Sequence, residues 1–600
     1  MKSVWIGFSL FAISCALNVG CPQEQDPNPN PPVEEQRGYT PRWAFRPWIS
    51  KDISDAADTW DFVNGMEQYD IPVGTLVIDS PWETNYNTFI VNEARYPGFA
   101  NMVQDLRERD IRTVLWVTQM VNESSFDLET GGDTYEGAAS NFQEGLERDY
   151  YVNRGKTYFW WKGSGAGVDF FNPEASAWWR AQQDDLFDMG IAGWKLDFGE
   201  EYLRDVELQD ADGTYYLETA EGTQTLQAYS EKYYEDFYEY GLEKMGKEEF
   251  VIFARPWDES YGFPGRTFAR PEHLITGWVG DQETTWEGLQ DGLDHLFRSA
   301  ELGYVAIGGD VGGYLDNQLG VPIPFDVVLF NRWVAAYGLM PIFQLHGRQN
   351  TVPWNVPERV DETIENYRYW ATLHDQLVPY FYSLAEHCYA EGATMLRPVG
   401  DESQWPNDFR FMIGDAFFVA PYLTAAGERD ILFPEGRFID WFADEAEPIL
   451  GPTTVSGYTA SSLREIPLFL KAGAIVPMRV DSSVTHILPE SHAGEGFTIL
   501  VVPSSDPHFF TLEAEDESVT IEVEEAEQEI VIGLGVHSEP ILLKVYSAGQ
   551  VQSVTESDVA LLELSPFQEK TDGYWVDGDV LWVYLTASTT EERIRVVRAD

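Results

Sequence analysis

The stretch "GWKLDFGEEY" (193–202) puts Asp197 at the end of an apolar, β-prone run. Eight more chemically capable residues sit at or near the ends of similar runs: Asp79, Trp116, Lys195, Arg255, Trp278, Asp281, Asp310 and His346. Four carboxylates, an Arg, a Lys, a His and two Trp gathered on one rim suit a polyhydroxylated substrate. Carboxylates accept hydrogen bonds from hydroxyls, Lys and Arg donate them, and indole faces cover C–H surfaces. Hydrolysis of a glycosidic bond needs two carboxyls in different protonation states, one nucleophilic or basic and one acidic. A phosphate substrate calls for fewer carboxylates and more cations. Each residue alone has an ordinary structural use: a strand-end Asp can cap a helix, a His or Trp can simply pack. Their coincidence on successive strands points to a site.

The elements that must position them alternate in type along the chain. "RWAFRPWIS", "VGTLVIDSPW", "RTVLWVTQMVN", "GIAGWKLDFGE", "EEFVIFARPW", "HLITGWVGDQ", "GYVAIGGDVGGY" and "LMPIFQLHG" read as strands, with helical patterns between most of them. Eight strand–helix repeats predict an α/β fold, a closed (β/α)8 TIM barrel, with an open doubly wound sheet as the alternative. The C-terminal ends of barrel strands share one face, so the residues above converge. Past residue 395, runs such as "DAFFVAPYL", "RDILFPEGRFIDWF", "GFTILVVP", "SVTIEVEE" and "VLWVYLT" follow one another without helices. They predict C-terminal all-β sandwich domains joined near 480–495.

Other chemistries fit poorly. A kinase needs His-Arg-Asp upstream of Asp-Phe-Gly and a spaced glycine loop before a strand Lys. The chain has no His-Arg-Asp, and its dense glycine cluster, "GSGAG" (163–167), has the wrong spacing. The nine His include no His-Glu-x-x-His, and three Cys are too few for a zinc cluster. "DADGTYYLE" (210–218) misses most positions of a calcium loop and reads as an acidic turn. No metal and no cofactor is expected.

Thirty-nine basic against 100 acidic residues give a net charge of −61. That field repels nucleic acid and anionic lipid, so no polyanionic partner is expected; the strand-end residues above point instead to an oligosaccharide or glycoside substrate. The first 21 residues, "MKSVWIGFSLFAISCALNVGC", read as a signal peptide, and the Cys at their end resembles a bacterial lipoprotein signal, with Asn18 where that pattern prefers an apolar residue. The expectation is export, periplasmic or on the cell surface, with membrane attachment through a lipidated Cys21. Residues 22–40 read as an extended tether, 41–392 as the barrel, 393–482 and 483–600 as proximal and distal β-domains. Only Cys21 and Cys388 would remain after cleavage, too few for a disulfide framework.

Taken in order, "FFNPEASAWW", "GWKLDFGEEYL", "FARPW", "GWVGDQETTWEGL", "GGDVGGY", "LHG" and "GDAFFVAPYL…FPEGRFIDWF…IPLFLKAGAIVP" resemble glycoside hydrolase family 31 over roughly residues 41–480. The resemblance implies a retaining α-glycosidase of the α-glucosidase/α-xylosidase group, acting from the non-reducing end without cofactor. It implies that Asp197 is the nucleophile and Asp281 the acid/base. Arg255 would hold Asp197 ionised. Asp79, Lys195, Asp310 and His346 would bind the sugar, and Trp116 and Trp278 would wall it. Retention implies carboxyls about 5–5.5 Å apart, and Asp281 is expected to owe a raised pKa to its carboxylate neighbours.

Two departures from the family pattern bear on substrate. Most members carry a β-sandwich before the barrel that adds to the rim, whereas here the tether precedes "YTPRWAF"; the insertions at 123–168 and 202–222 are the expected substitutes. "DFGEEYL" and "GGY" also resemble sulfoquinovosidases, but no Arg-Trp pocket for a sulfonate is identifiable. Sulfoquinovosidase and α-galactosidase are the alternatives on the same site. A catalytically silent carbohydrate-binding protein is the alternative of another class, against which both Asp197 and Asp281 count.

Overall fold

A computed structural model describes residues 38–318, 321–346, 351–443, 447–566 and 570–599. The expected signal peptide, Cys21 and nearly all of the tether lie outside the described residues.

Strands of a parallel barrel are covered by helices outside and by one another inside, so they read as continuous apolar runs. All eight expected runs contain such a strand: β1 (Trp48–Lys51), β2 (Thr75–Ile78), β3 (Arg112–Val117), β4 (Gly193–Leu196), β5 (Val251–Ala254), β6 (Thr276–Val279), β7 (Ile307–Asp310) and β8 (Ile342–Leu345). Each pairs in parallel with its sequence neighbours, and β8 closes on β1 through Gln344 opposite Trp48. The register demands small residues where backbones crowd: a Cβ on Gly308 would collide with the Ile342 carbonyl on β8. Four of the outer helices begin at side-chain caps. Asp55, Thr225, Thr285 and Asp326 accept from the first-turn N–H groups of Ala56–Gln68, Leu226–Met245, Trp286–Glu301 and Val327–Tyr337. These caps are other residues than Asp79, Asp197, Asp281 and Asp310. The β5–β6 connection has no α-helix, in keeping with helices between most but not all strands.

The connection from β3 to β4 is the largest. Its strands Met120–Ser125, Gly163–Gly167 and Tyr158–Trp160 form an antiparallel sheet with the glycine cluster in the middle. Glycine is required there, because a Cβ on Gly165 would sit 2.6 Å from the Val121 carbonyl oxygen. "DADGTYYLE" is a turn in which Asp210 accepts from the backbone of Asp212 and Thr214, leading into the hairpin Tyr216–Thr219/Gly222–Thr225.

After the barrel helices come three six-stranded sheets. The first, from Leu396–Pro398 to Leu468–Lys471, buries Phe418, Phe433, Phe438 and Phe469 on one face. The other two close a sandwich over an aliphatic core that includes Ile499, Ile521, Ile532, Leu543 and Ile594. Strand Ile475–Met478 already pairs with Phe497–Val501 of that sandwich. The change of sheet therefore falls between Lys471 and Ile475, ahead of the joint expected near 480–495. Among the described residues no helix is long and apolar enough to cross a membrane.

Candidate active site

One feature recurs where the barrel strands end. The residue immediately after β1, β2, β4, β5 and β8 is Asp52, Asp79, Asp197, Arg255 and His346, and Asp281 stands two beyond β6. A strand's last carbonyls are still paired, whereas the next side chain is released onto the rim. These six residues, with Trp116, Glu129, Trp161, Lys162, Lys195 and Tyr314, line one narrow pocket at the C-terminal end of the barrel.

Arg255 organises it. The guanidinium is buried, and its Nε donates to Asp197 Oδ1 at 3.2 Å and its Nη1 to Asp258 Oδ2 at 2.6 Å. Its Nη2 donates to Asp281 Oδ2. Asp197 and Asp281 thus share the Nε/Nη2 edge of one planar group and lie side by side. The Phe198 and Trp278 rings lie with their centres 4.2 and 4.8 Å from the guanidinium carbon. Asp197 also accepts from Trp116 Nε1 at 3.1 Å and from the Phe198 N–H at 2.9 Å.

Asp281 differs in kind. Its backbone is left-handed (φ 64°), a conformation that Asp adopts more readily than most side chains. Its N–H points to Asp310 Oδ2 at 3.3 Å. Burial pushes its carboxyl up to about 7; Arg255 opposes that rise, and Asp197, Asp310 and Asp258 add to it. Burial is therefore the first cause, and the carboxylate neighbours, expected to carry the effect, come second. Burial would also raise Asp258, but Arg255, His295 and the Ser260 hydrogen bonds together outweigh it and hold that carboxyl below the usual range.

On the other side, Lys195 Nζ donates to Asp79 Oδ2 at 2.6 Å and lies 3.5 Å from His346 Nε2. Burial disfavours the ammonium, yet Asp79, Asp310 and Asp197 more than compensate and keep Lys195 charged. Burial, then Lys195, pushes His346 well below its ordinary value, so the imidazole is neutral and its ring stacks on Tyr314 at 5.0 Å. The Tyr314 hydroxyl donates to Asp52 at 3.1 Å.

Seven of the nine residues expected from the sequence therefore meet in the pocket. Trp278 and Asp310 do not line it. Both lie within their strands, one layer down: Trp278 packs under Lys195 and Arg255, and Asp310 accepts from Gln344 and from the Asp281 backbone. The sequence reading missed Asp52, Glu129, Trp161, Lys162, Tyr314 and, behind Arg255, Asp258. Of the two insertions expected to supply a wall, 123–168 contributes Glu129, Trp161 and Lys162. No residue of 202–222 lines the pocket, but Tyr202 packs on Trp161 at 5.2 Å between ring centres.

Removing Arg255 leaves three carboxylates facing one another. Arg255→Met is expected to cost about 3–5 kcal/mol, the range for breaking a buried ion pair from one side. A thermal melt checks this: a denaturation temperature equal to wild type contradicts the central place given to the guanidinium.

The sequence matches the TIM-barrel domain of glycosyl hydrolases family 31 over residues 38–384 and the C-terminal domain of that family over 391–476. The chain belongs to glycoside hydrolase family 31. Within family 31, it is 25% identical to alpha-glucosidase 2 of Bacillus thermoamyloliquefaciens over 543 residues, which cover 84% of this chain and 64% of that one. It is 25% identical to an alpha-xylosidase of Emericella nidulans over 491 residues, 78% of this chain and 56% of the relative. This chain thus spans less than two thirds of either relative's length. A family 31 dextranase of Flavobacterium johnsoniae, solved with glucose, shares the fold with a TM-score of 0.77 at 17% identity, over 94% of this chain and 71% of that one.

Proposed function

We propose that this family 31 protein is a retaining α-glycosidase that removes one terminal sugar from the non-reducing end of an α-linked oligosaccharide or glycoside. The observation that carries the reading is the pair Asp197 and Asp281, held on one edge of Arg255, with a proton kept on Asp281 near neutral pH by burial. Carboxyls about 5–5.5 Å apart are what a double displacement needs. Asp197 Oδ2 attacks the anomeric carbon as the C–O bond to the leaving group breaks, and Asp281 gives its proton to the departing oxygen. The resulting β-glycosyl ester is opened by a water that returns its proton to Asp281, freeing Asp197 and an α-configured product. Trp116 Nε1 and Arg255 steady Asp197 throughout, while Asp79, Lys195 and His346 supply acceptors and donors for the ring hydroxyls.

The α-glucosidase and α-xylosidase names of the relatives support that substrate group. The sulfoquinovosidase alternative is disfavoured by the charges. Each cation lining the pocket already faces carboxylate: Lys162 meets Asp127 and Glu129, Lys195 meets Asp79, and Arg255 meets three. A sulfonate would enter a pocket whose fixed charge is negative. Export with lipidation at Cys21 belongs to the same proposal and rests on the sequence alone.

Purified protein tested on aryl α-glucosides, xylosides, galactosides and sulfoquinovosides should cleave one of the first two best. NMR of the fresh product should show the α-anomer first, and first appearance of the β-anomer contradicts retention. The pH profile has a definite sign. Asp281 must enter the cycle protonated, so kcat/KM should fall as pH rises through about 7. An alkaline limb at the same pH in Asp281→Asn would assign it to another group.

A further inference from the structure

The insertion between β3 and β4 brings a Lys, a Glu and a Trp to a pocket otherwise built from strand ends. We propose that Glu129 and Lys162 form the end wall of the sugar pocket and determine specificity. They would bind the hydroxyl on the ring carbon farthest from the scissile bond and so limit the enzyme to a single uncharged terminal sugar. The inference rests on the glycosidase reading above.

Position comes first. In a closed ring of eight strands, β2 and β6 lie opposite each other. Asp281, the residue that meets the leaving group, follows β6. The segment 127–133 leaves the β3 side and is tied down over the loops that follow β2 and β1. The Tyr86 hydroxyl donates to Asp127 at 2.7 Å, and Arg95 grips Asp133 through two bonds of 2.8 and 2.9 Å. Asn92 adds a third bond to Asp133 at 3.0 Å, and Arg95 Nη1 reaches the Ser54 carbonyl, beyond β1, at 3.2 Å. The wall therefore stands across the pocket from the leaving-group side, where a sugar ring presents its C-4.

Rigidity comes next. Lys162 is buried and donates to Asp127 Oδ2 at 2.8 Å and Glu129 Oε2 at 2.5 Å. Burial disfavours its charge, but Glu129, Asp127 and Asp52 outweigh that and keep it an ammonium. An ammonium has three donors, and two are committed to fixing its place. A neutral hydroxyl both donates and accepts, so a Glu–Lys pair held at fixed spacing matches it. An anionic group gains little from a cation already shared by two carboxylates. Trp160 anchors the element from below, its indole N–H on Asn122 Oδ1 at 2.7 Å, and leaves half-buried Trp161 toward the pocket.

The test uses the full-length enzyme, the p-nitrophenyl α-glycoside it cleaves best and the 4-deoxy counterpart. Wild type should prefer the hydroxylated sugar by ~10- to 100-fold in kcat/KM, the scale of a hydrogen bond to a charged group. Glu129→Gln should shrink that ratio at least severalfold, chiefly through KM. Lys162→Met, which could destabilise the insertion, serves as the second variant. On p-nitrophenyl α-maltoside, the terminal sugar should leave before any nitrophenol. An active wild type with no preference between the two sugars overturns the inference without needing a variant, and so does release of intact disaccharide. An unchanged ratio in folded Glu129→Gln overturns it as well. Wild type inert toward every aryl α-glycoside overturns the glycosidase reading itself, and this inference with it.

Discussion

Asp197→Ala is expected to abolish turnover: kcat/KM on the best aryl α-glycoside should drop by ~10⁴ or more, the scale for losing a residue that, in the proposed mechanism, makes a covalent bond to substrate. The variant keeps Arg255 and Trp116, and the lost carboxylate sat at the pocket surface and not in the core. A thermal melt close to wild type should therefore accompany the lost activity. The reason for so large an effect is geometric. No other lining carboxylate shares both the Trp116 indole N–H and the Arg255 guanidinium. Neither Asp79, occupied by Lys195, nor Asp52, occupied by Tyr314, can take over the attack. A variant retaining a tenth of wild-type kcat/KM would refute the assignment.

Asp281→Ala separates substrates by their leaving groups. A dinitrophenolate or fluoride departs without protonation, so formation of the glycosyl-enzyme should slow little with such substrates. A sugar or alkyl alcohol needs the proton, and its cleavage should fall by ~10²- to 10⁴-fold, the usual contribution of general acid catalysis. The second step then lacks a base and becomes limiting. Azide, which needs no base and fits the space left by the carboxyl, should restore turnover and yield an α-glycosyl azide. Equal losses on activated and unactivated substrates, with no response to azide, would mean that another group handles the proton.

The barrel was legible because its physics is local. A strand enclosed on both faces has to be a short apolar run, and the residue just past it has to face the rim, so Asp79, Asp197, Arg255 and His346 could be read directly. Asp52 obeys the same rule in "SKDIS" and was recoverable from it; the charged Lys51 before it masked the strand end. Trp278 and Asp310 break the rule in the opposite sense. They lie inside β6 and β7, and the structure puts them under the rim as support for Arg255 and Asp281.

Glu129, Trp161 and Lys162 were not readable from local pattern. They reach the pocket because Met120–Ser125 pairs with Gly163–Gly167 across some forty residues, and because Arg95 and Tyr86 on another connection hold the intervening loop. Hydrophobic periodicity carries no information about such pairing. Only "FWWK", with two indoles next to a Lys beside a glycine strand, hinted that the insertion faces something. The cause of the raised Asp281 carboxyl was equally hidden. Charge neighbours can be counted along a sequence, whereas the depth of burial that dominates the shift follows from how six strand ends and an insertion close together.

The account stands on Asp197 and Asp281 serving one anomeric carbon from one pocket, and trapping the covalent ester tests that most directly. Wild-type enzyme incubated with a 5-fluoro-α-glycosyl fluoride, then digested and analysed by mass spectrometry, should carry one glycosyl group on the peptide containing Asp197. With Asp281→Ala the same peptide should be labelled and should hold the sugar longer. A label on any other carboxylate, or steady hydrolysis of the fluoride with no ester detectable in either protein, contradicts the account.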